Sequence, residues 1–145
     1  MTRFVSTRLM KIPSAGHSVL VVDDSLAIRH FLSVSLGAAG YATAEAEDGW
    51  DAYEKAKQEH FDLVITDQNM PCMNGVELIR ELRALPDYAT VPILVLTIES
   101  SPELKREAQA SGANGWIMKP IRSAHIVGVA KLLLAPRPDL QARSG

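Results

Sequence analysis

Cysteine is almost missing from this chain of 145 residues: Cys72 stands alone, so no internal disulfide can form and no metal site can rest on clustered thiolates. That usage suits a reducing compartment, and a cytoplasmic protein is expected. The purely apolar runs last only a few residues, far short of the roughly 20 that a membrane-spanning helix needs. No basic stripe is dense enough for nucleic acid, and the formal net charge is −2. His17, His30, His60 and His125 are scattered and form no ligand set; His30 reads as a surface residue. Residues 1–11 carry Arg3, Arg8 and Lys11 without an acid, but lack the apolar middle of a signal peptide. Residues 1–17 therefore read as a flexible lead-in, and Met10 as an alternative start.

What is present fits one domain. A chain of this length buries roughly 68–70% of its unfolded surface and needs no covalent staple. Five strand-like and five helix-like stretches alternate. Residues 18–23 form a valine-rich apolar run that reads as a buried strand. Asp24 or Ser25 caps a helix carrying Ile28, Phe31, Leu32 and Leu36, ended by Gly37 and Gly40. A shorter strand over 41–45 follows, then a helix opened by Asp48-Gly49 that runs to about His60. Residues 61–66 form a third strand that leads into Asp67.

The loop from Asp67 to Gly75 is rich in turn-forming residues. Val76, Ile79 and Leu82 mark a third helix that stops near Pro86, and residues 91–97 form a fourth strand. Ser101-Pro102 places a cap and a first-turn proline at the start of a fourth helix, ended by Gly112. Residues 115–119 form a fifth strand. Ser123 is expected to cap a last helix reaching about Ala135, and residues 136–145 read as a loose tail. The expected domain therefore spans 18–135. Such alternation implies a parallel sheet covered by helices on both faces. Ligands in such folds bind where the strands end.

Strand one ends in Asp23-Asp24, strand three in Asp67, strand four in Thr97 and strand five in Lys119-Pro120. With these four strands as neighbours, three carboxylates, a hydroxyl and an ammonium converge. Acids packed together repel unless a cation intervenes, and hard oxygen ligands suit Mg²⁺ or Mn²⁺. A lysine and a hydroxyl can hold phosphoryl oxygens, and a carboxylate can take a phosphoryl group as an acyl phosphate. A single such residue is usually a cap or a turn; the joint set is much harder to explain that way.

The motifs Val22-Asp23-Asp24-Ser25, Thr66-Asp67-Gln68-Asn69-Met70-Pro71 with Asn74-Gly75, Val95-Leu96-Thr97 and Trp116-Ile117-Met118-Lys119-Pro120 resemble the receiver domains of two-component response regulators, of the CheY-like single-domain type. The resemblance covers about 18–135. It implies a flavodoxin-like (CheY-like) doubly wound α/β fold with strand order 2-1-3-4-5 and five helices. It makes Asp67 the phosphoacceptor. Asp24 becomes a direct Mg²⁺ (or Mn²⁺) ligand, Asp23 a ligand through water, and the backbone carbonyl of Asn69 a further ligand.

Lys119 is then the partner of a phosphoryl oxygen, before a cis bond to Pro120. Thr97 and Trp116 become a coupled switch. The implied donor is a phosphohistidine on a sensor histidine kinase or a histidine phosphotransfer protein. The implied target is a protein that docks on the fourth helix, fifth strand and fifth helix. The chain is then a signalling phosphoacceptor that assists its own phosphorylation and dephosphorylation rather than an enzyme. A monomer is expected, with dimerisation on activation left open.

Three residues depart from the usual pattern. Ile98 stands where a small residue is common and is expected to roof the site and slow access. Trp116 is larger than the commoner tyrosine or phenylalanine, and Ile121 replaces a frequent phenylalanine. Asn69 and Glu99 match the chemotaxis type, which leaves a chemotaxis regulator and a phosphorelay shuttle both open. A receiver cut from a larger regulator or kinase is an alternative. A phosphatase with an aspartyl-phosphate intermediate is remote, because its second acid would lie two residues after the nucleophile rather than beside another acid. A flavin carrier is more remote, because Asp23-Asp24 would repel a phosphate at the first turn.

Overall fold

The computed structural model describes residues 16–135. Residues 1–15 of the expected lead-in over 1–17, and the tail over 136–145, lie outside the described residues. In chain order the elements are β1 (Ser18–Val22), α1 (Leu26–Ala38), β2 (Ala42–Ala46), α2 (Gly49–Gln58), β3 (Leu63–Asp67), α3 (Gly75–Arg83), a single 3-10 turn (Pro86–Tyr88), β4 (Ile93–Thr97), α4 (Pro102–Ser111), β5 (Gly115–Met118) and α5 (Ser123–Leu134). The sheet is all parallel with order β2-β1-β3-β4-β5. This is the doubly wound, CheY-like flavodoxin architecture.

The central strands β3 and β4 are buried along their whole length. Apolar side chains on both faces account for that, because helices cover both faces of such a sheet. Alternation then sorts the residues. Leu20, Val22, Val64 and Val95 face one core, filled by Ala52 and Ala56 of α2 and Leu78, Ile79 and Leu82 of α3. Val19, Val21, Leu63, Ile65, Leu94 and Leu96 face the other, filled by Leu32 and Leu36 of α1 and Ile126 and Ala130 of α5.

Local chemistry sets most helix ends. Ser25, rather than Asp24, caps α1 by accepting from the Ile28 N–H at 3.3 Å. Asp48 caps α2, and Asn74 with Glu77 forms a reciprocal capping box on α3. Ser101 caps α4 and Pro102 opens it; Gly112 closes it with φ 111°, a left-handed conformation that glycine adopts without strain. Gly40 plays that part after α1 with φ 100°, whereas Gly37 lies inside the helix.

Several ends differ from expectation. Ser123 is the first residue of α5 and not its cap; Arg122 holds that position without a side-chain hydrogen bond. The helix α2 stops at Gln58 rather than near His60, because Glu59 turns to an extended conformation. The chain does not simply end a helix near Pro86: Pro86 opens the 3-10 turn, where its fixed φ fits and its missing N–H is no loss.

The same turn explains why β3 starts at Leu63 and not at residue 61. The Phe61 N–H leaves the ladder and donates to the Tyr88 hydroxyl at 3.1 Å. That buried hydroxyl in turn lies 3.0 and 2.9 Å from the carbonyls of Ala56 and Glu59, with its one proton to give. Arg83 then fastens the far side, donating to the carbonyls of Tyr88, Val91 and Gly112 and to Asn114 Oδ1.

A Tyr88→Phe substitution keeps the packing and orphans these buried groups. It is expected to destabilise the fold by about 1–3 kcal/mol, read as a lower midpoint in urea with an unchanged slope. An unchanged midpoint would show that the tyrosine hydroxyl is dispensable.

Candidate functional site

The site stands at the carboxyl end of the sheet, and strand parity assembles it. Asp23 continues the alternation of Val19 and Val21, and Asp67 that of Leu63 and Ile65. Lys119 continues that of Ile117, whose partner in the ladder is Leu96. All three chemistry-bearing residues therefore leave the sheet on the side covered by α1 and α5. Lys119 Nζ sits 3.0 Å from Asp67 Oδ1 and 3.2 Å from Asp23 Oδ2. One ammonium thus serves two buried carboxylates.

Carboxylate oxygens of Asp23, Asp24 and Asp67 all lie within 4.8 Å of one another. Asp67 is 3% exposed and Asp23 1%, while Asp24 faces solvent. Burial pushes the Asp67 carboxyl above its ordinary value, and the charge of Asp23 adds to this; the hydrogen bond and charge of Lys119 and the Asn69 backbone oppose it. Burial pulls Lys119 down, but its hydrogen bond to Asp67 and the charges of Asp67 and Asp23 outweigh that and hold it above its ordinary value. Three convergent oxygen donors, one of them open to water, fit a hard divalent cation such as Mg²⁺.

Thr97 has the opposite parity and is 2% exposed. Its hydroxyl donates to the Glu99 carbonyl at 3.1 Å and accepts from the Glu99 N–H at 3.0 Å, and does not bond Asp67. Trp116 pairs with Val95, two residues before Thr97, so its side chain shares Thr97's face of the sheet. It is half-buried, with Lys105 Nζ 4.8 Å above its ring. Ile98 is 67% exposed, and Glu99 beside it is also exposed. The Lys119–Pro120 bond is cis. Asn69 stands exposed in the loop after β3, and Cys72 in the same loop has φ 70°.

Three contributors have no role that the sequence alone assigns. Arg29 Nη1 donates to the Asp23 carbonyl at 2.7 Å. Gln68 is buried, and its side-chain oxygen accepts from the Val76 N–H at 3.0 Å, tying the site loop to the start of α3. Gly75 admits no side chain, since a Cβ there would fall 2.7 Å from the Asp67 carbonyl oxygen. Gly75 was visible as part of a motif, but its reason, close approach of backbone to backbone, was not.

The family description "Response regulator receiver domain" matches residues 19–131. The chain belongs to this family. As a receiver domain it is similar to chemotaxis protein CheY-3 of Vibrio cholerae, with 38% identity over 73% of this chain and 82% of that protein. It is similar to a gliding motility regulatory protein of Myxococcus xanthus at 38% identity over 70% of this chain, but that match spans only 13% of the relative's length.

Among solved structures, V. cholerae CheY4 superposes with TM-score 0.80 and 42% identity, covering 83% of this chain and all of that one (100%). The receiver domain of a histidine kinase from Syntrophus aciditrophicus gives 0.77 and 32%, over 83% and 91%. Receivers of this kind act in two-component signalling as phosphoacceptors. Among the described residues no helix is long and apolar enough to cross a membrane.

The raised Asp67 carboxyl has a sign that can be checked. Its ionised form is less favourable folded than unfolded, a penalty fully present above the folded value and gone below the unfolded one. In metal-free buffer, Asp67→Asn is therefore expected to melt higher than wild type at neutral pH. The gap should close as pH falls through the carboxylate range. A lower melting temperature at neutral pH would mean that the Lys119 pair outweighs burial and repulsion.

Proposed function

We propose that Asp67 takes a phosphoryl group from a phosphohistidine of a sensor histidine kinase or a histidine phosphotransfer protein. The observation that carries this reading is the position of Lys119 Nζ between two buried carboxylates, with a third acid open to solvent. An Asp67 oxygen attacks phosphorus, an O–P bond forms, the P–N bond breaks, and the imidazole leaves with the electron pair. Such transfer needs positioning and charge stabilisation more than covalent chemistry.

Lys119, already beside Asp67, follows a phosphoryl oxygen and offsets its charge. Burial of Asp67 limits water at the acyl phosphate. Asp23, Asp24, Asp67 and the Asn69 carbonyl would hold Mg²⁺ (or Mn²⁺), which supplies neutralising charge to the phosphoryl oxygens when bound. The protein stores a phosphoryl group and assists its gain and loss, rather than turning over a substrate.

The Thr97 hydroxyl exchanges Glu99 for a phosphoryl oxygen, and Trp116, on the same face of the sheet, repacks with it. That shift alters α4, β5 and α5, the face offered to a downstream protein. Between α1 and the link from β5 to α5 an apolar groove of about 270 Å³ is lined by Ala27, Ile28, Phe31, Lys119, Pro120 and Ile121. It shares Lys119 with the acceptor site, which favours it as the seat of the phosphodonor. This reading places the protein in the cytoplasm, as a chemotaxis-like regulator or a relay shuttle.

Intact-protein mass tests the acceptor. With Mg²⁺ and a phosphodonor, wild type should gain one phosphoryl mass and Asp67→Ala none; a gain by both variants, or by neither with a competent kinase, would refute it. Access is tested separately. If Ile98 hinders water at the mouth despite its exposure, Ile98→Ala should speed phosphoryl loss severalfold, followed as decay of the mass adduct. An unchanged decay rate would remove Ile98 from the mechanism.

A further inference from the structure

Asp23 is held at every polar group it has. Its N–H donates to the Ala46 carbonyl at 3.1 Å. Its Oδ1 accepts from the Ser25 N–H at 2.8 Å, and its Oδ2 faces Lys119 Nζ at 3.2 Å. Its carbonyl accepts from Arg29 Nη1 at 2.7 Å. Asp24 differs: its carboxylate makes no hydrogen bond or ion pair among the described residues. No polar contact among the described residues holds that side chain, so the backbone sets the point from which it reaches the cluster.

Arg29 controls that backbone. The Asp23 carbonyl belongs to the peptide unit that joins Asp23 to Asp24, and a peptide unit is planar. Holding its oxygen restrains the plane, and with it the position of the Asp24 Cα from which the side chain departs. Arg29 is itself braced, with Nε 3.3 Å from Glu45 Oε1 and a side chain only 13% exposed. Glu45 precedes Ala46, the residue that receives the Asp23 N–H. The ring Asp23, Arg29, Glu45, Ala46 therefore joins the end of β1, the first turns of α1 and the end of β2.

We propose that Arg29, braced by Glu45, is a positioning residue that sets the affinity of the acidic cluster for a divalent cation by fixing the Asp23–Asp24 peptide. The inference rests on the cation reading of the three acids. It opposes simple electrostatics in sign. A guanidinium near three acids repels a metal ion, so on Coulomb grounds alone its removal tightens cation binding. Loss of positioning weakens it, as loss of groups that orient metal ligands does elsewhere.

The test is Mg²⁺ titration of the full chain by calorimetry, with circular dichroism and metal-free melting to verify folding. Wild type should bind, and Asp24→Asn should lose most of that binding. Arg29→Met should bind about tenfold more weakly. Arg29→Lys, whose ammonium cannot span both acceptors, should fall between. Glu45→Gln, which keeps an oxygen for Arg29 Nε, should stay near wild type.

A folded Arg29→Met that binds Mg²⁺ as tightly as wild type, or more tightly, overturns the inference while leaving the cation reading intact. If that variant does not fold, equal or tighter binding by Arg29→Lys overturns it instead. No binding by wild type overturns both.

Discussion

Two buried carboxylates and one ammonium set the terms for the rest of this molecule. Asp23 and Asp67 sit where water is scarce, and Lys119 bridges them at 3.2 and 3.0 Å. Truncating one partner of such a buried group leaves an uncompensated charge and is costly. Yet a single positive charge cannot neutralise two negative ones, and Asp24 adds a third nearby. The fold therefore carries an unbalanced negative site by construction. Burial holds the Asp67 carboxyl above its ordinary value, and the charge of Asp23 raises it further. A site in this condition gains most from added positive charge, and an acceptor carboxylate needs that charge when phosphorus approaches.

The sheet divides the work between its faces. Alternation along β1, β3 and β5 sends Asp23, Asp67 and Lys119 to the α1 and α5 side. Thr97 and Trp116 have the opposite parity. On the proposed reading, a change at Asp67 reaches Thr97 from one face of the sheet to the other, because Leu96 faces one core and Val95 the other. A single strand packed on both faces at native density cannot shift gradually. On the proposed reading, that favours two discrete arrangements of Thr97 and Trp116 over a continuum.

How far the sequence could carry this depended on the range of each cause. Caps, glycine stops and alternation act over a few residues, so the elements and the gathering of Asp23, Asp67 and Lys119 at neighbouring strand ends were legible. The 3-10 turn was not, because its purpose is a contact between Tyr88 and Phe61, 27 residues apart. Ser123 looked like a cap from its type alone, but the backbone placed Arg122 there. Arg29 drew no reading from the sequence, because its role needs the Asp23 carbonyl and Glu45 in space together. The exposure of Ile98 could not be read from its type, because it depends on what surrounds the chain after β4.

Magnitudes limit what the threonine can do alone on the proposed reading. At rest its hydroxyl makes two neutral hydrogen bonds to Glu99, each worth about 0.5–1.5 kcal/mol net. One bond to a charged phosphoryl oxygen is worth about 1.5–3 kcal/mol. The exchange is close to balanced, whereas turning an equilibrium from one side to the other takes about 5.5 kcal/mol. The remainder must come from packing, and the half-buried Trp116 is the large apolar group positioned to supply it. Its contact with Lys105, worth about 0.5–1 kcal/mol at an exposed site, works against that movement. Thr97 thus acts as the trigger, and the burial of Trp116 against the hold of Lys105 sets how far the change goes.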